Sequence, residues 1–580
     1  MAEQASELAT LFDQMADLLD IQGANYHRIL AYRRGAEALR GLATPLPTLV
    51  AEGRLEEIPG IGETLAAKIR EYLETGAIAA YDKLCADMPP SLLDLLQVQG
   101  LGPRRVARFW RELDITTLEQ LEAAARDGQL QTLKGIGART EHNIGEGIRA
   151  LRRQRQRRVP LAVAWPLAQE IIGALQTLPE IVRIEPAGSL RRMRETVGDI
   201  DILVAAESPE PVMARFRTLP VVGSVLLSGP TKTSIRTVDG LQVDLRVLPP
   251  ARWGAALQYF TGSQGHNIRL RELAQQQGLS LSEYGFQRAD GSELLCANES
   301  EVYATLALPW IPPELREDRG EFAAAQAAAL PRLVTRADLR GDFQCHTVRS
   351  DGEHTILEMA RAAQAASLHY LVVCDHTSGL GISRGMTPDD LPALLADVAE
   401  VNAQLGAGFR VLAGAEVEIR VDGGLDWPND ALAQLDFVVA SVHSGLNHPR
   451  EELTERILMA MQNPYVDLIG HPTGRLLGRR PPADLDMEAL FQAALKYGVA
   501  LEVSAWPLRL DLSDVYIRRA VELGVMLAIS SDAHDVEGFA VLPFGVAMAR
   551  RGWAEPQHLL NTRPWAEVHA WRQRRLRVPG

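Results

Sequence analysis

The chain has 580 residues, a formal net charge of −14 and 46% hydrophobic residues. This length exceeds what one hydrophobic core can organise and predicts three to five domains, and the net charge argues against a protein that merely coats DNA. No run of 18 apolar residues and no basic, then apolar, start is present, so we expect neither a membrane span nor a secretory signal. Four scattered cysteines without a CxxC motif indicate neither a disulfide framework nor a thiolate zinc site, and they fit a reducing cytoplasm.

A short glycine motif occurs three times in the first 150 residues. The copies read EEIPGIGETLAAKI (56–69), LQVQGLGPRRVARF (96–109) and QTLKGIGARTEHNI (131–144). Two glycines allow a tight turn, and the N-terminus of the helix that follows offers N–H groups to an anion. The repetition favours a phosphate-binding role over three ordinary helix connections and resembles the helix-hairpin-helix, which grips DNA backbones. The predicted DNA-binding glycines are Gly60, Gly62, Gly100, Gly102, Gly135 and Gly137.

Positive charge is concentrated next to the third copy. Residues 101–200 hold 17 Lys and Arg against 12 Asp and Glu, and six of the arginines lie in IRALRRQRQRR (148–158). A basic segment within an acidic chain is expected when only part of the surface contacts phosphates.

Short β-rich runs then alternate with helical pieces, and the stretch GSLRRMRETVGDIDILV (188–204) places Asp199 and Asp201 on one face of a strand. Asp244, in LQVDLRVL, adds a third carboxylate from another strand. Such a set suits two Mg2+ or Mn2+ ions, with Ser189 and Arg192 in the preceding turn holding phosphates. An Asp-x-Asp pair alone is more often a solvated strand end, and Gly-Ser plus Asp-x-Asp also serves nucleotidyltransferases that tail RNA or modify small molecules.

Together with RWGAALQYFTGSQGHNIRLRELA (252–274), these motifs resemble family X DNA polymerases, the group that includes DNA polymerase β, over residues 1 to about 310. The resemblance implies that Asp199, Asp201 and Asp244 bind the metals and that Asp244 accepts the proton of the primer hydroxyl. It also implies a set of residues that contact the triphosphate. These are Ser189, Arg192, Gly198 and Arg158.

The same resemblance assigns the YFTGS segment to the nucleotide. Tyr259, Phe260 and Gly262 would pack against the sugar and leave no room for a 2′-hydroxyl, and Asn267 and Arg271 would touch the minor-groove edges of the nascent pair and template. Gln242 stands where polymerase β has an arginine, so the carboxylate network is expected to differ there.

Lys68 lies at the spacing at which polymerase β has its Schiff-base lysine for removing a 5′-deoxyribose phosphate. Tyr32 and Arg28 also match that domain, whereas the lysines that surround the nucleophile in polymerase β are arginine or neutral here. A lyase and a lysine that only contacts phosphate both remain open at Lys68.

Prolines and charges at 309–333 predict a linker with one helix, and β-runs then alternate with amphipathic helices, as in a parallel α/β barrel or layered sheet. Histidines and acids follow these runs, where α/β folds carry their chemistry. Their mixed N and O donors predict a site for Zn2+, Mn2+ or Fe that hydrolyses a phosphate ester. The predicted ligands are His346, Asp351, His376, Glu416, His443, His471, Asp532 and His534.

This pattern is similar to the PHP domain (polymerase and histidinol phosphatase), a distorted (β/α)7 barrel, over about 335–570. The similarity implies a trinuclear phosphoesterase, and related enzymes are 3′-5′ exonucleases, 3′-end phosphatases or AP endonucleases. The family opens with His-x-His, whereas this chain has Gln344-Cys345-His346, so one ion is expected to be lost or loosely held. A barrel kept only as a scaffold is the alternative.

The sequence thus predicts a cytoplasmic, monomeric, multidomain α and α/β DNA repair polymerase that binds gapped or nicked duplex, 3′ ends and deoxynucleoside triphosphates, and no membrane. The alternatives are a template-independent nucleotidyltransferase and a DNA-end scaffold. The predicted segments are a helical 8-kDa-like domain (1–85), a thumb-type helical domain (86–158), a nucleotidyltransferase palm (159–250), a fingers-type subdomain (251–310), a linker (311–334) and a PHP domain (335–575).

Overall fold

The computed structural model describes residues 2–40, 46–51, 53–58, 60–75, 78–96, 98, 101–155, 158–380 and 385–576. The chain divides into two compact units, residues 1–157 and 158–580. In the described part of the chain, no helix is both long enough and apolar enough to cross a bilayer.

The first unit is helical wherever it is described. Its helices are α1 (Ala2–Gln22), α2 (Tyr26–Arg40), α3 (Leu46–Ala51), α4 (Glu63–Thr75), α5 (Ala79–Asp87), α6 (Leu92–Leu95), α7 (Pro103–Leu113), α8 (Leu118–Arg126) and α9 (Ala138–Arg155). Phe12, Leu19 and Phe109 are fully buried in a core that α1 shares with its neighbours. Local signals set several boundaries: Thr117 and Gln120 form a capping box at α8, and Gly102 directly precedes Pro103, the first residue of α7.

The second unit begins with a small α/β layer. Its elements are β1 (Val159–Pro160), α10 (Leu161–Leu175), β2 (Arg183–Pro186), α11 (Gly188–Arg191), β3 (Thr196–Val197), β4 (Asp199–Ala205), α12 (Pro209–Arg217), β5 (Val222–Ser228), β6 (Lys232–Thr237) and β7 (Gln242–Leu248). The five-stranded sheet has the order β2-β4-β7-β6-β5. Strands β4 and β7 are parallel, whereas the other neighbours are antiparallel.

A helical and hairpin segment follows. Its elements are α13 (Trp253–Thr261), α14 (Gln264–Gln276), β8 (Leu279–Ser282), β9 (Gly285–Arg288), β10 (Glu293–Leu294), α15 (Glu299–Thr305) and α16 (Glu321–Gln326). The stretch that the sequence predicts as a linker carries the expected helix, α16, but it is tightly packed. Arg316 and Glu321 are fully buried, and His266 Nδ1 lies 2.8 Å from Glu321 Oε1.

The remainder of the second unit is a barrel of parallel strands. The strands are β11 (Gly341–Cys345), β12 (Tyr370–Val373), β13 (Arg410–Glu418), β14 (Phe437–Ser441), β15 (Leu468–Ile469), β16 (Ala500–Ser504) and β17 (Leu527–Ser530). The helices are α17 (Ile356–Ala365), α18 (Leu391–Leu405), α19 (Asn429–Leu432), α20 (Arg450–Met461), α21 (Met487–Tyr497), α22 (Asp514–Leu523), α23 (Leu542–Arg551) and α24 (Trp565–Leu576). Most of these strands are apolar runs buried on both faces, as parallel sheets require.

The seven strands follow one another in chain order, and the first and last strands meet near their carboxyl ends. The His346 N–H donates to the Ala533 carbonyl at 2.8 Å, and the Asp532 N–H donates to the Gln344 carbonyl at 3.2 Å. The sheet is therefore nearly closed. This arrangement confirms the predicted fold class and, of the two predicted architectures, selects the barrel.

Candidate active sites

The structure brings the three predicted aspartates together on neighbouring parallel strands. Asp201 on β4 is the register partner of Asp244 on β7, and Asp199 stands two residues earlier on the same face as Asp201. Ile200, Ile202 and Val204 on β4 are buried, so the alternation of the sequence fixes which face carries the carboxylates. The result is a cluster of three acids on one face of the sheet, on two of its interior strands.

The charges of Asp199 and Asp201 are poorly compensated by the protein. Burial, together with the negative charges of Asp199 and Asp244, raises the pKa of Asp201 to about 7. Burial and Asp244 also raise the pKa of Asp199. Acids held together in this way are stabilised in their charged form by a multivalent cation, so the donor set fits the predicted divalent ions.

Sequence reasoning missed Lys232. Its Nζ lies 2.7 Å from Asp244 Oδ2, and Gln242 Nε2 donates to Asp244 Oδ1 at 3.0 Å. Burial raises the pKa of Asp244, but hydrogen bonds from Lys232, Gln242 and Ser234 outweigh burial and hold that pKa below its usual value. Lys232 lies on β6, which pairs with β7, and it is one of only five lysines in the chain. Its rarity was the available signal.

The turn before β4 contacts the aspartates directly. Gly188 has φ +59°, and a Cβ at this position would overlap Asp201 Oδ2. The position therefore needs glycine both for its backbone conformation and for the approach of Asp201. Ser189 lies in the short α11 that begins at Gly188, and Arg192 directly follows that helix.

Arg192 is almost buried. Its Nε donates to Glu317 Oε1 at 3.0 Å, and its Nη1 donates to the Thr261 carbonyl at 2.8 Å. The neighbouring Arg191 instead forms an ion pair with Glu299, and Arg316 donates to the same carboxylate. Both arginines of the motif are thus held by buried acids before any substrate binds.

Arg158 and Gly198 lie beside each other. Arg158 Nε donates to Thr196 Oγ1 at 2.9 Å, and a Cβ at Gly198 would lie 3.8 Å from Arg158 Nη1. Arg158 is exposed and Gly198 directly precedes Asp199, so the structure places both residues at the margin of the acidic cluster.

The YFTGS segment ends α13. Tyr259 and Phe260 stand edge to face with ring centroids 5.1 Å apart, and the Arg246 guanidinium lies 4.5 Å from the Phe260 ring. Asn267 Nδ2 donates to the Tyr259 carbonyl at 2.6 Å, and a Cβ at Gly262 would overlap Asn267 Oδ1. Asn267 thus fixes this segment.

Arg271 is exposed one helical turn after Asn267, on α14.

The barrel brings its predicted ligands together at the carboxyl ends of its strands. One group whose ligand atoms all lie within 4.8 Å comprises His346, Asp351, His376 and His534. A second comprises His376, Glu416 and His443. His471 Nε2 lies 3.2 Å from Glu416 Oε1, and His346 Nε2 lies 3.1 Å from Asp532 Oδ1. All eight predicted ligands therefore belong to one cluster.

Several ligand atoms in this cluster are buried without a hydrogen-bond partner among the described residues. They are His346 Nδ1, His471 Nδ1 and both Glu416 carboxylate oxygens, which lie close to histidine nitrogens but without hydrogen-bond geometry. Buried polar atoms are rarely left unpaired, so these atoms fit metal coordination. His471 and Asp532 also have positive φ, a strained conformation that occurs mainly at functional sites.

Acidic residues behind the ligands orient them. Glu418, two residues after Glu416 on β13, places Oε2 at 2.8 Å from His443 Nδ1. Burial lowers the pKa of His443, but Glu416 and Glu418 outweigh burial and raise it to about 10. The sequence run AEVEI carried a signal for Glu418, because alternate residues of a strand share a face.

A cavity of about 610 Å³ opens over the ligands. Trp506 and Arg509 also line it, and the Arg509 guanidinium lies 5.4 Å from the Trp506 ring. Sequence reasoning did not single out either residue, since the loop after β16 carries no metal-ligand pattern.

Gln344 is completely buried, and neither polar atom of its amide has a partner among the described residues. It lies at the seam of the barrel, which is the place where the first and last strands meet. Its backbone carbonyl accepts there from the Asp532 N–H at 3.2 Å. The amide thus sits beside ligands without a hydrogen bond of its own.

Each described hairpin glycine is placed at a helix start. Gly62, Gly102 and Gly137 directly precede α4, α7 and α9, while Gly60 and Gly135 have positive φ. Gly100 lies outside the described residues.

Lys68 is half-buried on α4 in the same unit, and Tyr32 is buried, 5.6 Å from the Phe12 ring. Arg28 is exposed on α2, six residues before Arg34, whose carbonyl would lie 3.3 Å from a Cβ at Gly60.

Three sequence families match this chain. Residues 3–78 match a helix-hairpin-helix domain, residues 92–150 match a SAM-like helix-hairpin-helix tandem, and residues 256–317 match the DNA polymerase beta thumb. The last segment largely overlaps residues 251–310, which the sequence predicts as a fingers-type subdomain.

Individual relatives cover both halves. The chain is 34% identical over 571 residues to the DNA polymerase/3′-5′ exonuclease PolX of Bacillus subtilis, covering 98% of this chain and 99% of the relative. It is 24% identical over 332 residues to DNA polymerase lambda of Rattus norvegicus, and the match covers 52% of this chain and 54% of the relative. A probable phosphatase of Thermoanaerobacter sp. is 31% identical over 204 residues, which are 33% of this chain and 78% of that protein.

Proposed function

The chain belongs to the family of the DNA polymerase/3′-5′ exonuclease PolX, and we propose that it fills short gaps during DNA repair with one active site and processes 3′ ends with another. The observation that carries the polymerase is the pairing of Asp201 with Asp244 across parallel strands, with Asp199 on the same face. The chain is a family X nucleotidyltransferase, and its substrates are DNA and deoxynucleoside triphosphates.

Each residue near the three aspartates has a proposed task. Asp199, Asp201 and Asp244 would hold Mg2+ or Mn2+, which supply charge neutralisation for the triphosphate and acidify the primer hydroxyl when bound. Asp244 takes the proton of that hydroxyl. Ser189, Arg192, Gly198 and Arg158 bind the triphosphate.

Selection of the nucleotide is assigned to the end of α13. The sugar lies against Tyr259, Phe260 and Gly262. Because Asn267 already fixes this segment, the segment does not move aside and leaves no room for a 2′-hydroxyl. Asn267 and Arg271 face the minor groove of the nascent pair.

The domain organisation follows from these assignments. Residues 1–85 and 86–158 bind the DNA backbone through the hairpins, 159–250 form the palm, and 251–310 select the nucleotide. Residues 311–334 connect the palm to the 335–575 barrel. A single polymerase chain working on bacterial DNA is expected to act as a cytoplasmic monomer.

The barrel is assigned the 3′-5′ exonuclease. Its ligands are His346, Asp351, His376, Glu416, His443, His471, Asp532 and His534. Zn2+, Mn2+ or Fe bound there would supply a hydroxide at neutral pH and hold the phosphodiester. The two groups of ligand atoms support two ions. The Gln344 amide, a weak ligand for these metals, argues against a tightly bound third ion.

Primer extension on a duplex with a one-nucleotide gap tests both activities. We expect templated addition in the presence of Mg2+ or Mn2+ that is abolished by Asp199→Ala with Asp201→Ala and kept by His534→Ala. Shortening of 3′ ends should be lost only in His534→Ala. Untemplated addition would favour the template-independent nucleotidyltransferase, and absence of both reactions would favour the DNA-end scaffold.

A further inference from the structure

A chain of buried ion pairs connects the predicted triphosphate arginine to the barrel. Arg551, at the end of α23, donates through Nη1 to Glu317 Oε1 at 3.0 Å. Glu317 Oε1 also accepts from Arg192 Nε at 3.0 Å. One carboxylate oxygen is therefore shared by an arginine of the barrel and an arginine of the palm.

Arg551 also holds the backbone of the palm turn. The same Nη1 donates to the Arg192 carbonyl at 2.7 Å, while Nη2 donates to Asp514 Oδ2 at 2.6 Å. Arg319 donates to that Asp514 oxygen at 3.0 Å. Arg551 thus fixes Arg192, the residue directly after α11, through both its main chain and, by way of Glu317, its side chain.

The network is desolvated, which makes its geometry rigid and costly to disturb. The side chains of Arg551 and Glu317 are only 2% and 7% exposed. Charged hydrogen bonds at buried positions are among the stronger ones, and removing one partner leaves the other charge uncompensated. Arg192 is therefore locked in one position rather than free to sample several.

This fixed position matters for the substrate. Nε and Nη1 of Arg192 are used by Glu317 and by the Thr261 carbonyl, and among the described residues no hydrogen bond is made by Nη2. A guanidinium held by two of its nitrogens presents the third to an anion at no further cost in side-chain entropy. Thr261 belongs to the YFTGS segment, so the same contact ties Arg192 to the proposed sugar site.

We propose that Arg551 is a positioning residue for the polymerase reaction: from the barrel, it orients Arg192 through Glu317 and the Arg192 carbonyl for binding of the triphosphate. This inference rests on the proposed polymerase function. It makes the barrel part of the polymerase, independently of whether the exonuclease is active.

The test measures steady-state gap filling and inhibition by pyrophosphate, which occupies the triphosphate position without a base or sugar. Arg551→Gln should raise the KM for the nucleotide and the inhibition constant of pyrophosphate about tenfold, with kcat within about twofold and exonuclease activity unchanged. Arg551→Lys keeps the charge and should recover part of the loss.

The matched control is Arg550→Gln. Arg550 is the adjacent residue on the same helix and pairs with Glu314 Oε1 at 2.7 Å, but it has no contact with Arg192 in the described structure. Arg550→Gln should leave the KM for the nucleotide and the inhibition constant of pyrophosphate at wild-type values. Glu317→Gln, which keeps an acceptor but removes the charge, should also raise both constants and carries the test if Arg551→Gln does not fold.

Unchanged constants in a folded Arg551→Gln, or equal increases in Arg550→Gln, would overturn the inference, because the contact would then serve only the general packing of the barrel. A wild type that adds no nucleotide would instead refute the proposed function, and this inference would fall with it.

Discussion

Gly188 packs directly against the Asp201 carboxylate, so Gly188→Ala tests the position of that carboxylate with a single methyl group. Gly188 has φ +59°, where an L-residue is strained by roughly 1–2 kcal/mol. The added Cβ would also overlap Asp201 Oδ2 and lie 3.2 Å from Asp201 Cγ. The substitution therefore combines backbone strain with a displaced carboxylate.

The displacement decides the size of the effect. Nonbonded heavy atoms are best separated by about 3.5 Å, so the Asp201 carboxylate must move on the order of 1 Å. A misplacement of this size costs about 100-fold in rate when a catalytic group must be held in register. We expect kcat for gap filling to fall about 100-fold, while exonuclease activity stays within about twofold of wild type.

Gly240→Ala is the matched control. Gly240 lies on the connection between β6 and β7 of the same sheet and has φ +88°, and no atom of the described residues would lie within 4 Å of a Cβ added there. It should show the same backbone strain without moving an aspartate, so thermal unfolding should shift similarly in both variants and kcat should fall only in Gly188→Ala. Similar kcat values in the two variants would refute the requirement for Asp201 in its observed position.

Three other expectations concern the barrel, the buried acids and the first unit. Gln344→His should increase the metal content measured by plasma mass spectrometry by one ion per chain, and an unchanged content would contradict the role given to Gln344. Burial raises the pKa of Glu299, but Arg316 and Arg191 lower it to about 2. A folded-state pKa below that of the unfolded chain means that the carboxylate stabilises above about pH 4.5 and loses this effect as the pH falls through about 2. Glu299→Gln should therefore cost about 3 kcal/mol in urea unfolding at pH 7 and about half of that at pH 3, whereas an equal cost at both would refute the ion pair's contribution. At Lys68 a lyase nucleophile and a phosphate contact both stay open: with a lyase, borohydride should trap Lys68 on DNA with a 5′-deoxyribose phosphate, and an undiminished adduct in Lys68→Arg would exclude it.

Most side chains of the two proposed sites could be predicted from the sequence because their chemistry is local. Asp199 and Asp201 share a face by the period of a strand, and residues after successive parallel strands must meet at one end of a barrel. His346 and Asp532 could be assigned together for this reason, although 186 residues separate them. The resemblance to family X polymerases is confirmed by a relative that matches 98% of the chain.

What the sequence did not predict depends on tertiary contacts with no fixed spacing. Lys232 reaches Asp244 from the next strand, and apart from the rarity of lysine in this chain nothing in TKTS distinguishes it from a solvated lysine. Glu317 and Arg551 stand 234 residues apart, and each occurs in a stretch with several similar charges. Their pairing requires the packed position of residues 311–334, which composition alone predicts as a linker.

The proposed metal site lies at the seam of the barrel, and this position has a consequence for folding. His346 follows the first strand and Asp532 the last. The site is therefore complete only when all seven strands have formed and the first and last strands have come together. Contacts so distant along the chain form late, since the intervening chain must first be ordered. Metal ions bound by residues that follow the first and the last strand would contribute their binding free energy to closure of the barrel. The proposed metal site would thereby also hold the first and last strands of the barrel together, and a chelator should destabilise the fold at the same place where it stops the proposed hydrolysis.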